Sequence, residues 1–245
     1  MSELKFPTEM VELPSKGLVY PEENPLSSGK IEMKYMTAKE EDILTNQNYI
    51  NNGTVIDELL KALIITKINY NDLIVGDKNA IMVAARVLGY GKDYSFTYEG
   101  EDHIVDLSQL DNKEVDGKDF TKGKNEFSFT LPTSGTLITY KLLTHGDDKK
   151  INNEIKGLKK LNKLASPELS TRLKHMILSV NGDAEKKSVR EFVDNYFLAK
   201  DSRAFREHIK TTQPDVNLKF EIERPDGDVK DIDIPVGITF FWPDL

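Results

Sequence analysis

The chain has 245 residues, 33 of them basic and 41 acidic, for a net charge of −8, and it has no cysteine. Absent thiols exclude disulfides, thiolate zinc sites, iron–sulfur clusters and cysteine nucleophiles, and the negative balance argues against whole-chain attraction to nucleic acid or an anionic membrane. The start, MSELKFPTEM, lacks the apolar core of a secretory signal, and apolar runs such as Ala62–Ile65 fall far short of the ~20 residues of a membrane helix, so the chain reads as soluble, acidic and intracellular, with no membrane span.

Residues 1–36 read as an extended N-terminal arm and strand. Pro7, Pro14, Pro21 and Pro25 bias their predecessors away from helix, and Lys30–Tyr35 alternates like a strand. Residues 37–107 read as a helical block with a first hairpin. Thr37 and Glu40 form a capping-box pattern opening a helix to about Thr45. Thr54 and Asp57 open another, with Val55, Leu59 and Leu63 on one stripe. Asp77 is expected to cap a third, Lys78–Leu88, with Gly89 as its stop. Period-two patterning around Tyr94, Phe96 and Tyr98, a turn at 100–102 and a return through Ile104–Leu107 make the hairpin.

Residues 108–148 read as a loop and a second hairpin. Asp111–Asn125 is rich in Gly, Lys and Asp, and a loop of that length is uncommon unless mobile or functional. Glu126–Thr130 and Thr136–Leu142 pair around Pro132–Gly135. Residues 149–245 read as a second helical block with a C-terminal hairpin and an aromatic tail. Its expected helices are Lys149–Leu164, one capped by Ser166 with Pro167 at its first position and ending near Asn181–Gly182, one opened by the Ser188/Glu191 box, and Arg203–Ile209. Leu218–Glu223 and Asp231–Ile234 flank a turn at Pro225–Gly227.

The first and last hairpins share a pattern. Phe96 matches Phe220, and Val105-Asp106-Leu107 resembles Ile232-Asp233-Ile234. Chance likeness of two acidic hairpins is one explanation; a ribbon built where the two meet is the other. Because strands come in hairpin-spaced pairs, the expected fold class is α+β: two helical blocks with short antiparallel β-hairpins forming a metal-free ribbon, helix exceeding strand.

The chain holds no GxxxxGK(S/T), GxSxG or HExxH, and Gly89-Tyr90-Gly91 follows a helix rather than a strand. His103, His145, His175 and His208 are scattered, and no spacing gathers them into a catalytic or metal site. His145 with Asp147 and Asp148 reads as a solvated loop before it reads as a ligand set. Lys149, Lys156, Lys160 and Lys163 fall on one helix face. A solvated face is the ordinary reading, and a docking patch for an acidic partner is the alternative; interleaved aromatics for nucleic acid are missing. Phe240, Phe241 and Trp242 either pack on the body or anchor a partner.

Four stretches taken together carry a resemblance: LPSKGLVYPEENPLSSGKIEMKYMTAKEEDILTNQ, DLIVGDKNAIMVAARVLGYGKDY, DSRAFREHIKTTQPDVNLKFE and DIPVGITFFWPD. In their order and spacing they resemble the baseplate hub assembly proteins of T-even-like contractile-tailed bacteriophages. The likeness is clearest over residues 13–107 and 196–244. Such relatives often carry a CxxC in each of two hairpins, a zinc ribbon in effect. The matching positions here, Tyr98–Glu101 and Glu223–Asp226, hold no cysteine. The resemblance implies a non-enzymatic structural or assembly protein of the tail baseplate hub, without cofactor. Its partners would be other hub or tail proteins, in the host cytoplasm during assembly and then in the virion. A transient chaperone absent from the virion, and a hydrolase built from converging His and Asp/Glu, are the alternatives.

Overall fold

The computed structural model describes residues 7–162, 167–223, 227 and 229–241. The arm enters as β1 (Thr8–Glu12) and returns as β2 (Lys30–Lys34), antiparallel with Val11 opposite Ile31. β2 turns Ile31 and Met33 inward at 0% exposure, as alternate strand residues must. The loop between them closes on itself: Leu13 N–H donates to Gly29 O at 2.8 Å. A side chain at Gly17 would put Cβ 2.3 Å from the Ser27 carbonyl oxygen, and its φ of 78° also favours glycine.

α1 (Ala38–Leu44) opens on the expected box, with the Thr37 N–H and hydroxyl donating to Glu40 at 3.1 and 2.6 Å. α2 (Gln47–Asn52) was not legible, since it buries no residue and so shows no apolar stripe. α3 (Val55–Leu63) buries Val55, Leu59, Leu60 and Leu63. α4 (Val75–Tyr90) corrects two expectations: Asp77 lies inside its first turn, and Gly89 inside its last. The chain leaves the helix at Gly91, φ 88°.

β3 (Asp93–Tyr98) and β4 (Glu101–Asp106) form the first hairpin. The loop that follows is pinned, not free. Lys113 N–H donates to Asp215 O and Gly123 N–H to Leu18 O, both at 2.8 Å, and the Phe120 ring meets Phe127 edge-on at 5.2 Å. β5 (Phe127–Thr130) and β6 (Leu137–Tyr140) pair as expected.

α5 (His145–Leu161) starts four residues before the expected position, because Thr144 and Asp147 cap each other: Thr144 N–H and Asp147 N–H each donate across at 3.2 Å. His145 and Asp147 are therefore buried helix residues, not a solvated loop. α6 (Glu168–Met176) gives way to an unexpected strand, β7 (Ile177–Val180), which joins β6 to make a three-stranded sheet. α7 (Lys186–Asn195) encloses Ser188, which is no cap. α8 (Ala199–Thr212) encloses Asp201; that carboxylate, at 0% exposure, accepts from Thr133 N–H and Ser134 N–H at 2.7 and 3.0 Å, tying the β5–β6 turn to the helix. β8 (Lys219–Glu223) and β9 (Val229–Asp233) form the last hairpin, and a 3-10 turn, Ile238–Phe241, follows.

The class is α+β. Among the described residues every named strand pairing is antiparallel and helix exceeds strand. One hydrophobic core runs from Leu13 to Phe241 and draws on all four segments of the chain.

The first and last hairpins lie side by side, joined by packing and not by a shared ladder: they remain two separate two-stranded sheets. Side chains join them. Phe96 and Phe220 meet edge to face at 5.9 Å, Tyr94 OH donates to Pro235 O at 3.0 Å, and Lys230 Nζ donates to Tyr98 OH at 2.9 Å. With rings between the hairpins, their backbones do not come within the ~4.8 Å that strand pairing requires.

Candidate functional site

At two places among the described residues a histidine meets a carboxylate. In the first, α3 contributes Asp57, α4 Lys78 and α5 His145. Lys78 Nζ donates to Asp57 Oδ1 at 2.6 Å, Tyr70 OH donates to the same oxygen at 3.1 Å, and His145 Nε2 stands 3.5 Å from Asp57 Oδ2. Burial pushes the Asp57 carboxyl up, but Lys78, His145 and Tyr70 outweigh it and hold it below its ordinary value. Burial drives the His145 imidazole below its ordinary value, against the pull of Asp57, so the ring is neutral at pH 7. An Asp beside a neutral His resembles a hydrolytic pair. Access decides against that use: the two side chains are 15% and 5% exposed, and the Tyr70 ring stands edge-on to the imidazole at 4.7 Å. The cluster is a polar rivet joining three helices.

A second buried knot fixes the arm. Asp77, at 0% exposure, accepts from Ser15 N–H, Ser15 Oγ and Tyr20 OH at 2.9, 2.7 and 2.6 Å. Tyr20 OH in turn accepts from Ile74 N–H at 3.1 Å. All of these groups are satisfied and sealed, which is the signature of a structural network.

The second His–carboxylate meeting borders an open cleft of about 340 Å³ between α5, α6, β7 and α7. Five cationic side chains line it: Lys141 just after β6, Lys150 of α5, Lys174 of α6, and Lys186 and Arg190 of α7. Buried Ile177 and Val189 contribute apolar lining. Glu154 of α5 holds the wall together: Arg190 reaches it through two nitrogens at 2.8 and 3.1 Å, and His175 Nε2 lies 2.9 Å away. The Arg190 hydrogen bonds, with those of His175 and against burial, pull the Glu154 carboxyl down to about 2. Lys141 meets both oxygens of Asp147 at 2.7 Å, and Lys174 meets Asp194 at 2.6 Å.

A smaller apolar cleft of about 240 Å³ lies where Val11 of β1 faces Ala84 and Val87 of α4, with Leu107 and Leu110 closing it. Among the described residues no three His, Asp or Glu side chains are grouped to hold a metal ion, and no helix is long and apolar enough to cross a membrane.

Comparison with protein-family models, with curated proteins and with solved structures gave no match.

The residues expected to contact a partner fare unevenly. Lys149, Lys156 and Lys160 are exposed on α5, and Lys149 donates to Asn71 Oδ1 at 3.2 Å. Phe240 and Phe241 are corrected from exposed anchors to core: both are 0% exposed, and Phe240 meets Tyr94 at 4.8 Å. Burying these rings within the chain removes their apolar area from water without a partner. Lys163 and Trp242 lie outside the described residues. The cationic cleft was missed in the sequence because its cations come from α5, α6, α7 and the segment after β6; only Lys150 shares a helix with the predicted lysine face, and it lies off that face.

Proposed function

We propose that the chain is a structural or assembly protein of a contractile phage tail baseplate hub, working through contacts with other hub or tail proteins and not by turnover of a substrate. The observation that carries this reading is the packing of the two hairpins. The resemblance puts the thiols of relatives in the loops at 98–101 and 223–226, and a ribbon of that kind needs those loops as neighbours. Here Lys230, opposite Ile222 on β9, reaches Tyr98 and also Glu99 at 3.4 Å, so the two hairpins adjoin at their turn ends. Ring packing and a cation over the Tyr98 ring, 5.3 Å from its centroid, join the two hairpins; residues 224–226, in the loop where the resemblance puts the second pair of thiols, lie outside the described residues. The sealed state of the Asp57–His145 pair speaks against a hydrolase built on that pair.

The test is affinity capture of the tagged chain from bacteria infected with the phage that encodes it, with mass spectrometry of the co-purifying proteins. Baseplate and tail proteins are expected. Recovery of host metabolic enzymes alone overturns the reading. Presence of the chain in purified particles assigns it to the structure; absence assigns it to transient assembly.

A further inference from the structure

We propose that the cationic cleft between α5, α6, β7 and α7 binds a compact, multiply charged oxyanion, with phosphate or carboxylate groups as the recognised chemistry. This stands independently of the baseplate reading.

Three of the five cations have structural work. Lys141 is held by Asp147, Lys174 by Asp194 and Arg190 by Glu154. Lys150 and Lys186 line the same cleft without an ion pair among the described residues. Setting the three carboxylates against the five cations leaves two positive charges unanswered, in a chain whose net charge is −8. Such a concentration runs against the overall field and draws anions to this face.

The position of Lys186 adds a second oddity. It opens α7 directly after the N-cap residue Glu185, whose N–H donates to Asp183 Oδ1 at 2.9 Å. A cation there opposes the helix dipole, whereas an anion in front of it is favoured. Lys174, by contrast, lies in the last turn of α6, where a cation is stabilising. A bound oxyanion would answer Lys150 and Lys186, the two lysines of the cleft without an ion pair among the described residues.

The walls suit such a ligand. Asp147 and Glu154 fix Lys141 and Arg190 before anything binds, which cuts the ordering cost of recognition. Ile177 and Val189 give the cleft an apolar floor beside its charges. A volume of about 340 Å³ is at the small end for ligand clefts, enough for a pyrophosphate-sized group or a pair of carboxylates, and too small for a folded element.

The test uses the whole chain at low ionic strength and two probes, inorganic pyrophosphate and a hexaglutamate peptide, followed by calorimetric titration. At least one probe is expected to bind, and the K150Q/K186Q variant to bind it about tenfold more weakly or worse, equivalent to ~1.4 kcal/mol. The K39Q/K122Q variant changes net charge equally at exposed positions outside the cleft, and is expected to bind as the parent does. All four lysines are exposed, so folding survives and circular dichroism checks it. Preference for pyrophosphate assigns the site to a phosphorylated small molecule; preference for the peptide assigns it to acidic side chains of a partner. Binding of neither probe, or equal loss in the two double variants, overturns the proposal.

Discussion

Gly76 stands in the first turn of α4 directly under the backbone of Pro214, and a Cβ placed on it would fall 1.8 Å from the Pro214 carbonyl oxygen. Backbone cannot swing aside as a side-chain tip can, so Gly76→Ala is expected to cost ~3 kcal/mol or more, the upper end of overpacking. Gly157 offers the opposite case. It lies in α5 with nothing within 4 Å of its would-be Cβ, so Gly157→Ala should stabilise by ~0.5–1 kcal/mol through helix propensity alone. Urea unfolding of the two variants checks both signs; a neutral Gly76→Ala would deny the close approach. Neither role is legible in the sequence. A glycine after Val75 looks like any helix-opening glycine, because the atom that makes it obligatory belongs to a residue far along the chain. Asp77 misleads for the same reason: it has the look of a cap, yet its three donors come from Ser15 and Tyr20.

Among elements, Glu154 makes α5, α6 and α7 one unit through His175 and Arg190. Its carboxyl is lowered from the ordinary 4.5 to about 2, so its contribution is complete above pH 4.5 and is lost as pH falls through about 2. Glu154→Gln should therefore destabilise by ~1–2 kcal/mol at pH 7, with the partly exposed pair keeping the figure modest. The difference from the parent should shrink between pH 4.5 and 2. Denaturant midpoints measured across that range give the answer; a difference independent of pH would remove the charge from the explanation. Elements with their own stripe or alternation, such as α3, β3 and β4, were legible. α2 and β7 were not. α2 fully buries no residue and sets only Tyr49 and Ile50 against the core, and the four residues of β7 follow α6 so closely that Ile177 continues a helical stripe as well as it starts a strand. The cationic cleft shares that fate, being an agreement among four elements that no single window contains.

Across the whole molecule, the hairpin contact joins the early and late parts of the chain. Phe96 is 8% exposed and Phe220 is half-buried. Phe96→Ala is expected to cost ~3–4 kcal/mol and Phe220→Ala ~1–2 kcal/mol, since less area leaves water at the second site. The double variant should show a coupling of ~0.5–1.5 kcal/mol from the ring pair itself. Additive losses would mean that the hairpins are neighbours without mutual support. That the two hairpins adjoin could be read from their matched patterns. That they adjoin through rings and not through strand edges could not, because the pattern shows which residues face inward and not what they face.

The same contact sets a clock. Tyr94 donates to the carbonyl of Pro235, 141 positions later, and its ring packs on Phe240. At synthesis rates of 5–20 residues per second, the first hairpin waits roughly 7–30 s for its counterpart to be made. During that interval the Tyr94 and Phe96 rings lack the cover of Phe240 and Phe220. The nascent protein therefore passes through a sticky stage whose length is set by translation speed, and conditions that slow elongation over the intervening stretch should lower the yield of folded protein without altering its stability once complete.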